Sequence, residues 1–158
     1  MGTKFVSKPR KLEAVILQTV ANCASDNLGA VKLHKVLYYL DMLRFLQFGE
    51  PVTGSTYRKR PHGPTCEQLP RALRNLEAAG KLSVSEVAYF GFFKKEYTAL
   101  EPPPPAELTN GETDLLSQVI DFVCFDKTAK EISEISHALP WELAMDGGEI
   151  SYESAYLL

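Results

Sequence analysis

The chain lacks the local signatures that most enzymes and metal-binding proteins carry. Its three cysteines, Cys23, Cys66 and Cys124, stand far apart without a C-x-x-C pair, and its three histidines are equally scattered. A closely spaced metal site is therefore not predicted. Glycine-rich phosphate and dinucleotide motifs are also missing from the sequence. These absences predict a protein with no cofactor, no metal and no enzymatic activity.

Long apolar runs are scarce as well. The most apolar stretch, VLYYLDMLRFLQF, is interrupted by Asp41 and Arg44, so no membrane-spanning helix is expected. The opening MGTKFVSKPRKLEAV has no apolar run of signal-peptide length before its charges. Together with an odd number of widely spaced cysteines, these features predict a cytoplasmic protein whose thiols are reduced.

The two ends of the chain differ strongly in charge. The net charge is −3 over 158 residues, but residues 1–60 sum to +6, residues 61–100 to +1 and residues 101–158 to −10. The acidic last third would repel phosphate, which argues against nucleic-acid binding by the whole surface. The basic and acidic ends are expected either to attract each other in the fold or to present opposite faces to partners.

The strongest positive signal is helical periodicity. Residues 11–24 place apolar side chains on one stripe, which is typical of a surface helix with one buried face. Residues 30–48 are apolar nearly all round and predict a buried central helix, with Leu37 and Leu40 in the core. Four further helices are predicted. The first has Pro70 in its first turn, and the second begins at Thr109 or Asn110. The third runs from Thr128 to Pro140 with TAKE (128–131) as a capping box, and the last begins at Ser151.

One hairpin and one stiff connector complete the predicted architecture. KLSVSEVAYFGFFKKEYTAL predicts two strands that turn at Phe90-Gly91, and the proline run of residues 101–106 predicts an extended connector. The predicted fold class is mainly α (α+β), a compact helical domain around a buried central helix with a winged-helix-like β-hairpin. The predicted single domain spans 1–158, with a helical core at about 10–80, the hairpin at about 81–99, the connector at 101–106 and C-terminal helices at about 110–157.

The helix LPRALRNLEAAGKL and the following hairpin suggest an alternative function as a DNA-binding regulator. Arg71 and Arg74 would lie opposite the buried leucines of this helix, where a groove-reading helix carries its basic residues. Glu67 and Glu77 lie in or beside the same helix, and the chain is acidic overall. These features favour a solvated face for the two arginines, so nucleic acid is not the expected partner.

A catalytic thiol is a second alternative. Cys66 follows the HGP turn at a predicted helix start, where the pKa of a thiol can be lowered. His62 or His137 could then serve as the base of a nucleophilic pair. Since no flanking motif supports such a pair, the sequence favours a structural thiol.

The predicted hairpin tip is unusual because Tyr89, Phe90, Phe92 and Phe93 surround Gly91. A solvent-exposed turn is normally polar, and strand alternation prevents all four rings from pointing the same way. Surplus aromatic side chains at a tip predict a protein-binding surface. The alternatives are that the rings pack on the central helix or on a sister subunit of a homodimer.

Several segments, taken in order, resemble one known family. They are KLHKVLYYLDM on a long helix, YRKRPHGP, a short helix with a hairpin, ISEISHALPWELA and a late GGEIS. This order is similar to that of the Panacea domain, the SocA-like antitoxin family of bacterial and phage toxin–antitoxin systems, over about residues 10–157. Two features depart from the family. His34 interrupts a motif usually of the KLQKLLYY kind, and the EPPPP connector with its aromatic hairpin is particular to this chain.

The resemblance implies an antitoxin that neutralises a cognate protein toxin by direct binding, without catalysis. Delivery of a partner to a protease is another mode associated with the family. Because family members pair with unrelated toxins, the domain would be a shared scaffold with variable binding surfaces. The residues predicted to bind the partner are Tyr57, Arg58, Arg60, Tyr89, Phe90, Phe92 and Phe93.

The resemblance also suggests structural roles for the other residues of these segments. Gly63 is expected to permit a tight turn that Pro61 and Pro64 enter and leave. His62 and the pair Ser136-His137 are expected to hydrogen-bond backbone groups. Trp141, next to Pro140, is expected to anchor the C-terminal segment. Arg58, Lys59 and Arg60 would then meet either an acidic toxin surface or the acidic last third of the chain.

Overall fold

A computed structural model describes residues 3–125 and 127–158 of the chain. The fold is predominantly helical with two small antiparallel sheets, which confirms the predicted fold class. The helices are α1 (Pro9–Asn22), α2 (Ser25–Phe48), α3 (Leu69–Ala78), α4 (Asn110–Ile120), α5 (Ala129–Ile135) and α6 (Leu139–Leu143), with a π-helical segment at Asp121–Phe125 and a 3-10 helix at Tyr152–Leu157. The strands are β1 (Tyr57–Arg60), β2 (Gly63–Cys66), β3 (Leu82–Tyr89), β4 (Phe92–Ala99) and β5 (Glu149–Ile150).

Helix α2 is the centre of the fold, as its apolar sequence predicts. Leu37 and Leu40 are 0% exposed, and α1, α4, α5, β2 and β4 all pack against this helix. Gly29 interrupts the helix with φ +67°, so the long regular part begins at Ala30, where the sequence places it. Gly49 ends the helix in the left-handed conformation, and its N–H donates to the carbonyl of Phe45.

Local capping fixes the beginnings of the C-terminal helices. Thr109 and Glu112 form a capping box on α4, and Thr128 and Glu131 form a second one on α5, as the TAKE motif predicts. The predicted end of α5 at Pro140 is wrong. The helix ends at Ile135, and Pro140 lies instead in the first turn of α6, where its missing N–H costs nothing.

The two sheets differ in how well the sequence predicts them. The hairpin β3–β4 pairs from Leu82↔Ala99 to Tyr89↔Phe92, in agreement with the prediction. The second sheet has the order β2-β1-β5 and is not foreseen as a sheet. Its β1–β2 hairpin closes with the pair Arg60↔Gly63, and the short strand β5 adds to the other edge of β1.

The N-terminal and C-terminal parts of the chain close over the central helix. Lys11 of α1 forms an ion pair with the buried Glu112 of α4 across 2.8 Å. Phe5 contacts Phe45 of α2 and Tyr152 of the 3-10 helix edge to face, with ring centroids 6.0 and 5.4 Å apart. These contacts bring the acidic last third of the chain onto the helical core.

Candidate partner-binding surface

The tip of the β3–β4 hairpin presents four aromatic rings to solvent. The exposed fractions are 44% for Tyr89, 87% for Phe90, 59% for Phe92 and 72% for Phe93. Tyr89 pairs with Phe92 across the ladder, so these two rings share one face, while Phe93 follows on the opposite face. The rings therefore do not pack on the central helix, which was one of the alternatives drawn from the sequence.

The turn itself holds a bulky residue in a conformation that favours glycine. Phe90 has φ +44° and Gly91 has φ +85°, and the two residues join strands in direct register. Two-residue turns with two positive φ values normally carry Asn-Gly or Asp-Gly. Phe90 is the only residue other than glycine with positive φ in the described parts of the chain. An exposed phenylalanine therefore occupies a strained position at the very tip.

Aromatic contacts within the tip hold three of these rings together. The ring of Tyr89 meets that of Phe90 edge to face at 4.7 Å between centroids, and it meets that of Phe92 at 5.7 Å. The ammonium of Lys94 lies 4.7 Å from the centroid of the Tyr89 ring. The tip is thus a small aromatic cluster with a cation at its side.

The base of the hairpin is fixed to the body of the protein. Leu82 and Tyr97 are buried in the core, and β4 packs against both α1 and α2. Lys94 Nζ also donates to the carbonyl of Asp26 over 3.1 Å. The hairpin thus has a base packed on the core and a tip exposed to solvent.

The basic strand β1 is largely engaged with the acidic last third of the chain. Arg58 donates to Glu67 over 2.9 Å and to the carbonyl of Gly147, and its guanidinium lies 3.8 Å from Glu149. Lys59 Nζ lies 3.8 Å from Asp146. The sequence predicted that these cations meet either an acidic toxin surface or the acidic last third of the chain. Both Arg58 and Lys59 meet the last third.

Arg60 is the exposed member of the basic run. Within the described residues, no hydrogen bond or ion pair involves its guanidinium, while its backbone carbonyl accepts from Trp141 Nε1 over 2.9 Å. The run lies on a different sheet from the aromatic tip. The structure thus places the predicted binding residues in two separate groups.

Tyr57 does not belong to the surface at all. Its ring is 1% exposed, and its hydroxyl donates to Asp41 over 2.6 Å. Asp41 also accepts from the backbone N–H and the hydroxyl of Thr53. Complete burial raises the pKa of Asp41 above its ordinary value, although these donors oppose the shift. The ring of Tyr57 is a core element and is not available to a partner.

Neighbouring side chains lie so close to position 63 that only glycine fits there. The turn residues are Pro61 and His62, and Gly63 begins β2 with φ +102°. A Cβ at this position would lie 2.1 Å from Ser136 Oγ and 2.8 Å from Lys35 Cε. Gly63 thus follows the turn at the first position of β2, and both its positive φ and its surroundings exclude a side chain.

The buried Lys35 binds the backbone just after the turn. Its ammonium donates to the carbonyl of Pro64 over 2.9 Å and lies next to Gly63. Burial lowers the pKa of Lys35 to about 8. Pro64 is itself buried, so the residues after the turn are held against α2.

Only part of the predicted hydrogen bonding by histidine is observed. The His62 imidazole is exposed and has no hydrogen bond to a described residue, whereas its carbonyl accepts from Ser133 Oγ over 2.8 Å. His137 Nε2 is buried without a partner in the described residues, and its ring stacks on Trp141 at 4.0 Å. Ser136 donates to the carbonyl of Ser133. The predicted backbone bonds of the two imidazoles are thus not found among the described contacts.

Trp141 connects the C-terminal segment to the β1–β2 hairpin. Besides its bond to the carbonyl of Arg60, its ring lies between the His137 imidazole and the Lys59 ammonium, which is 4.3 Å from the ring centroid. This stack joins α6 to the β1–β2 hairpin. Pro140 is buried beside it at the start of α6.

The thiol of Cys66 is not activated. Burial raises its pKa to about 12, the opposite of the lowering that its sequence position would allow. Its backbone N–H donates to Nδ1 of His34 over 2.9 Å. Burial, assisted by the nearby Lys35, lowers the pKa of His34 to about 4, so this imidazole is neutral and acts as an acceptor. Neither His62 nor His137 bonds to the Cys66 thiol in the described residues.

Helix α3 exposes Arg71 and Arg74, while Leu69 and Leu76 face the core. This arrangement agrees with the amphipathic pattern of the sequence and leaves both arginines at the surface. In the described residues, no three His, Cys, Asp or Glu side chains are grouped so that they could hold a metal ion. No helix in that same part of the chain is long and apolar enough to cross a membrane.

Comparison with known protein families gives one match that covers most of the chain. The profile of the family described as antitoxin SocA-like, Panacea domain, matches residues 33–142. The chain belongs to this family. The match begins within α2 and ends within α6, so it includes the basic strand, the aromatic hairpin and the Trp141 anchor. Searches of curated proteins and of solved structures give no significant match.

The polar interior of the Panacea domain is the feature that sequence reasoning missed. Asp41, Lys35 and His34 are charged or polar residues on a helix that otherwise reads as apolar. Each forms a hydrogen bond with the segment that follows the helix. Asp41 accepts from the Tyr57 hydroxyl, Lys35 donates to the Pro64 carbonyl, and His34 accepts from the Cys66 N–H. The local signal is the spacing of His34 and Asp41, since residues two helical turns apart lie on one helical face.

Proposed function

We propose that this Panacea-domain protein is an antitoxin that neutralises a cognate protein toxin by binding it directly, with the hairpin tip as the anchor. The observation that carries the proposal is the exposed cluster of Tyr89, Phe90, Phe92 and Phe93 on a fixed base. Family membership supports the antitoxin role. Within this proposal the protein acts in the cytoplasm.

The energetics of exposed rings support a binding role. Full burial of a large apolar side chain contributes roughly 1.5–3 kcal/mol, and these four partly exposed rings lack a share of that stabilisation. Aromatic residues are also enriched among the few side chains that dominate interface energies. Because the base of the hairpin is packed on the core, docking would require less ordering of the backbone than a free loop would.

The chemistry of the tip indicates the surface that would receive it. Tyr89 and Phe92 occupy one face and Phe93 the other, so the tip suits insertion into an apolar cleft rather than contact with a flat surface. Lys94 is engaged with Asp26, Glu96 and the Tyr89 ring, so the exposed Lys95 is the cation of β4 that would meet a polar or acidic rim. The expected receptor is therefore an apolar cleft with acidic residues at its edge.

The basic strand would contribute less than the sequence suggests. Arg58 and Lys59 already have acidic partners within the chain, so a toxin would have to replace those contacts. Arg60 remains exposed and can supply a rim contact. Surface ion pairs of this kind contribute about 0–1 kcal/mol, so the aromatic tip would dominate the affinity.

Growth rescue tests this function. The product of the reading frame adjacent to this gene would be co-expressed with the wild-type chain, with Phe92→Ala/Phe93→Ala and with Phe48→Ala as a matched control. Phe48 is an exposed aromatic residue at the end of α2, away from the tip. Wild type and the Phe48 variant should restore growth and co-purify with the toxin, whereas the double variant should do neither.

Two other results would redirect the proposal. Restored growth with loss of the toxin from the cell, dependent on a protease, would favour an adaptor that delivers its partner for degradation. Specific DNA retention that is abolished by Arg71→Ala/Arg74→Ala would favour the regulator, whose binding should weaken steeply with salt. Rescue by the Phe92→Ala/Phe93→Ala variant at equal expression would contradict the tip as the anchor.

A further inference from the structure

Helix α6 and the segment that follows it expose apolar side chains although hydrogen bonds hold their backbone. Leu143 is 69% exposed, Met145 is 82% exposed, and Leu139 is 48% exposed. Leu139 and Leu143 are four residues apart, so they lie on the same face of the helix. Single apolar side chains at a surface are ordinary, but neighbouring ones that stay exposed indicate an interaction site.

Hydrogen bonds from strand β1 attach this segment to the sheet. The ammonium of Lys59 donates to the carbonyls of Glu142 and Ala144, over 3.3 Å in each case. The backbone N–H of Lys59 donates to the carbonyl of Gly148 over 2.9 Å. The exposed side chains therefore stand on a segment that is bonded to the sheet, not on a free chain end.

The charged residues of this segment are all acidic. From Glu131 to Asp146 the sequence has four carboxylates and no Lys or Arg. Asp146 is paired with Lys59 at 3.8 Å, and Glu131 serves in the capping box of α5. Glu134 and Glu142 are exposed, and the described part of the chain offers neither of them an ion pair. We use the name α6 surface for Glu134, Leu139, Glu142, Leu143 and Met145.

The charge of the α6 surface selects among classes of partner. Acidic side chains repel nucleic acid and the anionic lipids of a membrane surface. A partner that matches both the apolar and the acidic residues must carry apolar side chains flanked by Lys or Arg. A helix presents such side chains at intervals of three and four residues, roughly 5–6 Å apart, which is the spacing of Leu139 and Leu143.

We propose that the α6 surface is a docking site for a basic amphipathic helix of a partner protein. The apolar side chains of that helix would lie on Leu143 and Met145, and its Lys or Arg residues would meet Glu134 and Glu142. The surface shares no residue with the hairpin tip. The proposal therefore goes beyond the anchor at the tip and does not depend on the antitoxin role.

A second copy of the chain fits the α6 surface less well. Helices α1 and α3, both described in full, carry exposed arginines but no exposed large apolar side chain. The hairpin tip combines exposed rings with Lys95, but a strand pair does not present its side chains at helical spacing. The expected occupant is therefore a helix of a different protein.

Fluorescence anisotropy with a model peptide tests the α6 surface without any toxin. The probe is a labelled peptide of about 18 residues, long enough to form a helix, with leucines on one face, lysines elsewhere and no tryptophan. We expect the full chain to bind this peptide with an affinity that falls as salt is added. The same peptide with glutamates in place of the lysines should not bind. Docking should also change the emission of Trp141, which lies in α6 and is the one tryptophan of the chain.

Two double variants remove the apolar and the acidic residues of the surface separately. Leu143→Ser/Met145→Ser and Glu134→Lys/Glu142→Lys should each weaken peptide binding about tenfold or more. Because all four side chains are exposed, the melting temperature of each variant should stay close to that of the wild type.

Matched controls separate this surface from nonspecific binding and from net charge. Phe93→Ser removes an exposed apolar side chain from the hairpin, and Glu77→Lys/Glu86→Lys makes the same change in net charge at other exposed positions. Both controls should bind the peptide almost as the wild type does. Equal losses in the control and surface variants, or unchanged affinity in both surface variants, would overturn the proposal. Self-association of the wild type that Leu143→Ser/Met145→Ser abolishes would also overturn it, because the occupant would then be a second copy.

Discussion

The hydroxyl of Tyr57 donates to Asp41 over 2.6 Å and thereby fastens the first strand to the middle of α2. Tyr57→Phe would keep the ring, which lies 5.5 Å from that of Tyr38, and would remove only this donor. We expect the free energy of unfolding in urea to fall by about 1–3 kcal/mol, because a buried acceptor loses a partner. The exposed Tyr156 provides a control, and Tyr156→Phe should leave the unfolding free energy unchanged.

The neutral His34 should make stability depend on pH. Its pKa is about 4 in the fold against 6.5 for the ordinary group, so the unfolded chain binds the proton more readily. This stabilising contribution is fully present above pH 6.5 and is lost as the pH falls through about 4. The loss should be on the order of 3 kcal/mol, because each tenfold difference in proton affinity corresponds to about 1.4 kcal/mol.

The comparison that checks this effect uses urea unfolding between pH 7 and pH 4. His34→Asn keeps a hydrogen-bond acceptor for the Cys66 N–H but cannot titrate, so its stability should depend less on pH than that of the wild type. His62→Asn, at an exposed position, should follow the wild-type curve. Equal pH dependence of the wild type and the His34 variant would show that this imidazole is not the titrating group.

Gly63 should tolerate no side chain. Gly63→Ala would place a methyl group 2.1 Å from Ser136 Oγ, with φ at +102°. We expect a loss of more than about 2 kcal/mol, since both overpacking and backbone strain oppose the alanine. Gly91→Ala, at positive φ but with nothing within 4 Å of the new Cβ, should lose only about 1 kcal/mol.

A second substitution separates overpacking from backbone strain as causes of the loss at Gly63. In a Ser136→Ala background the nearest atom to the new methyl group is gone, so Gly63→Ala should cost less than it does in the wild type. Additive losses measured by thermal or urea unfolding would show that the contact with Ser136 is not the cause, which leaves backbone strain and the contact with Lys35.

Replacing Phe90 should raise the stability of the protein and weaken its binding to the toxin. Phe90→Asn creates an Asn-Gly turn, which suits the two positive φ values of this position. Relief of the left-handed strain should raise the unfolding free energy by up to about 1 kcal/mol, since an ordinary residue loses about 1–2 kcal/mol there. A rise in the melting temperature together with weaker toxin binding is the expected result. A variant that is less stable than the wild type would show that the ring supports the fold.

Local sequence signals predict the elements that are determined locally. The helix start at Thr109 or Asn110, the capping box at Thr128, the end of α2 at Gly49 and the Phe90-Gly91 turn each depend on residues within one or two turns of the chain. The structure confirms these predictions. Whether the four aromatic rings around the turn are exposed or packed on the central helix stayed open in the sequence, and the structure shows them exposed.

Long-range pairing is what the sequence could not provide. In the sequence Tyr57 stands beside a basic run and is interpreted as a surface residue. In the structure it pairs with Ile150 of β5, which lies far along the chain. The role of Gly63 depends on Ser136 and Lys35, which come from two different helical segments. Such contacts leave no periodic pattern, because only the assembled fold brings these segments together.

Calorimetric titration of the purified adjacent-frame protein with this chain tests the central claim most directly. Wild type, Phe90→Ala and the control Phe48→Ala would be compared at equal salt after each is shown to be folded. If the tip is the anchor, Phe90→Ala should weaken the dissociation constant about thirtyfold or more, equivalent to roughly 2 kcal/mol, while Phe48→Ala leaves it unchanged. Equal affinity of all three proteins would contradict the account and place the interface elsewhere on the Panacea domain.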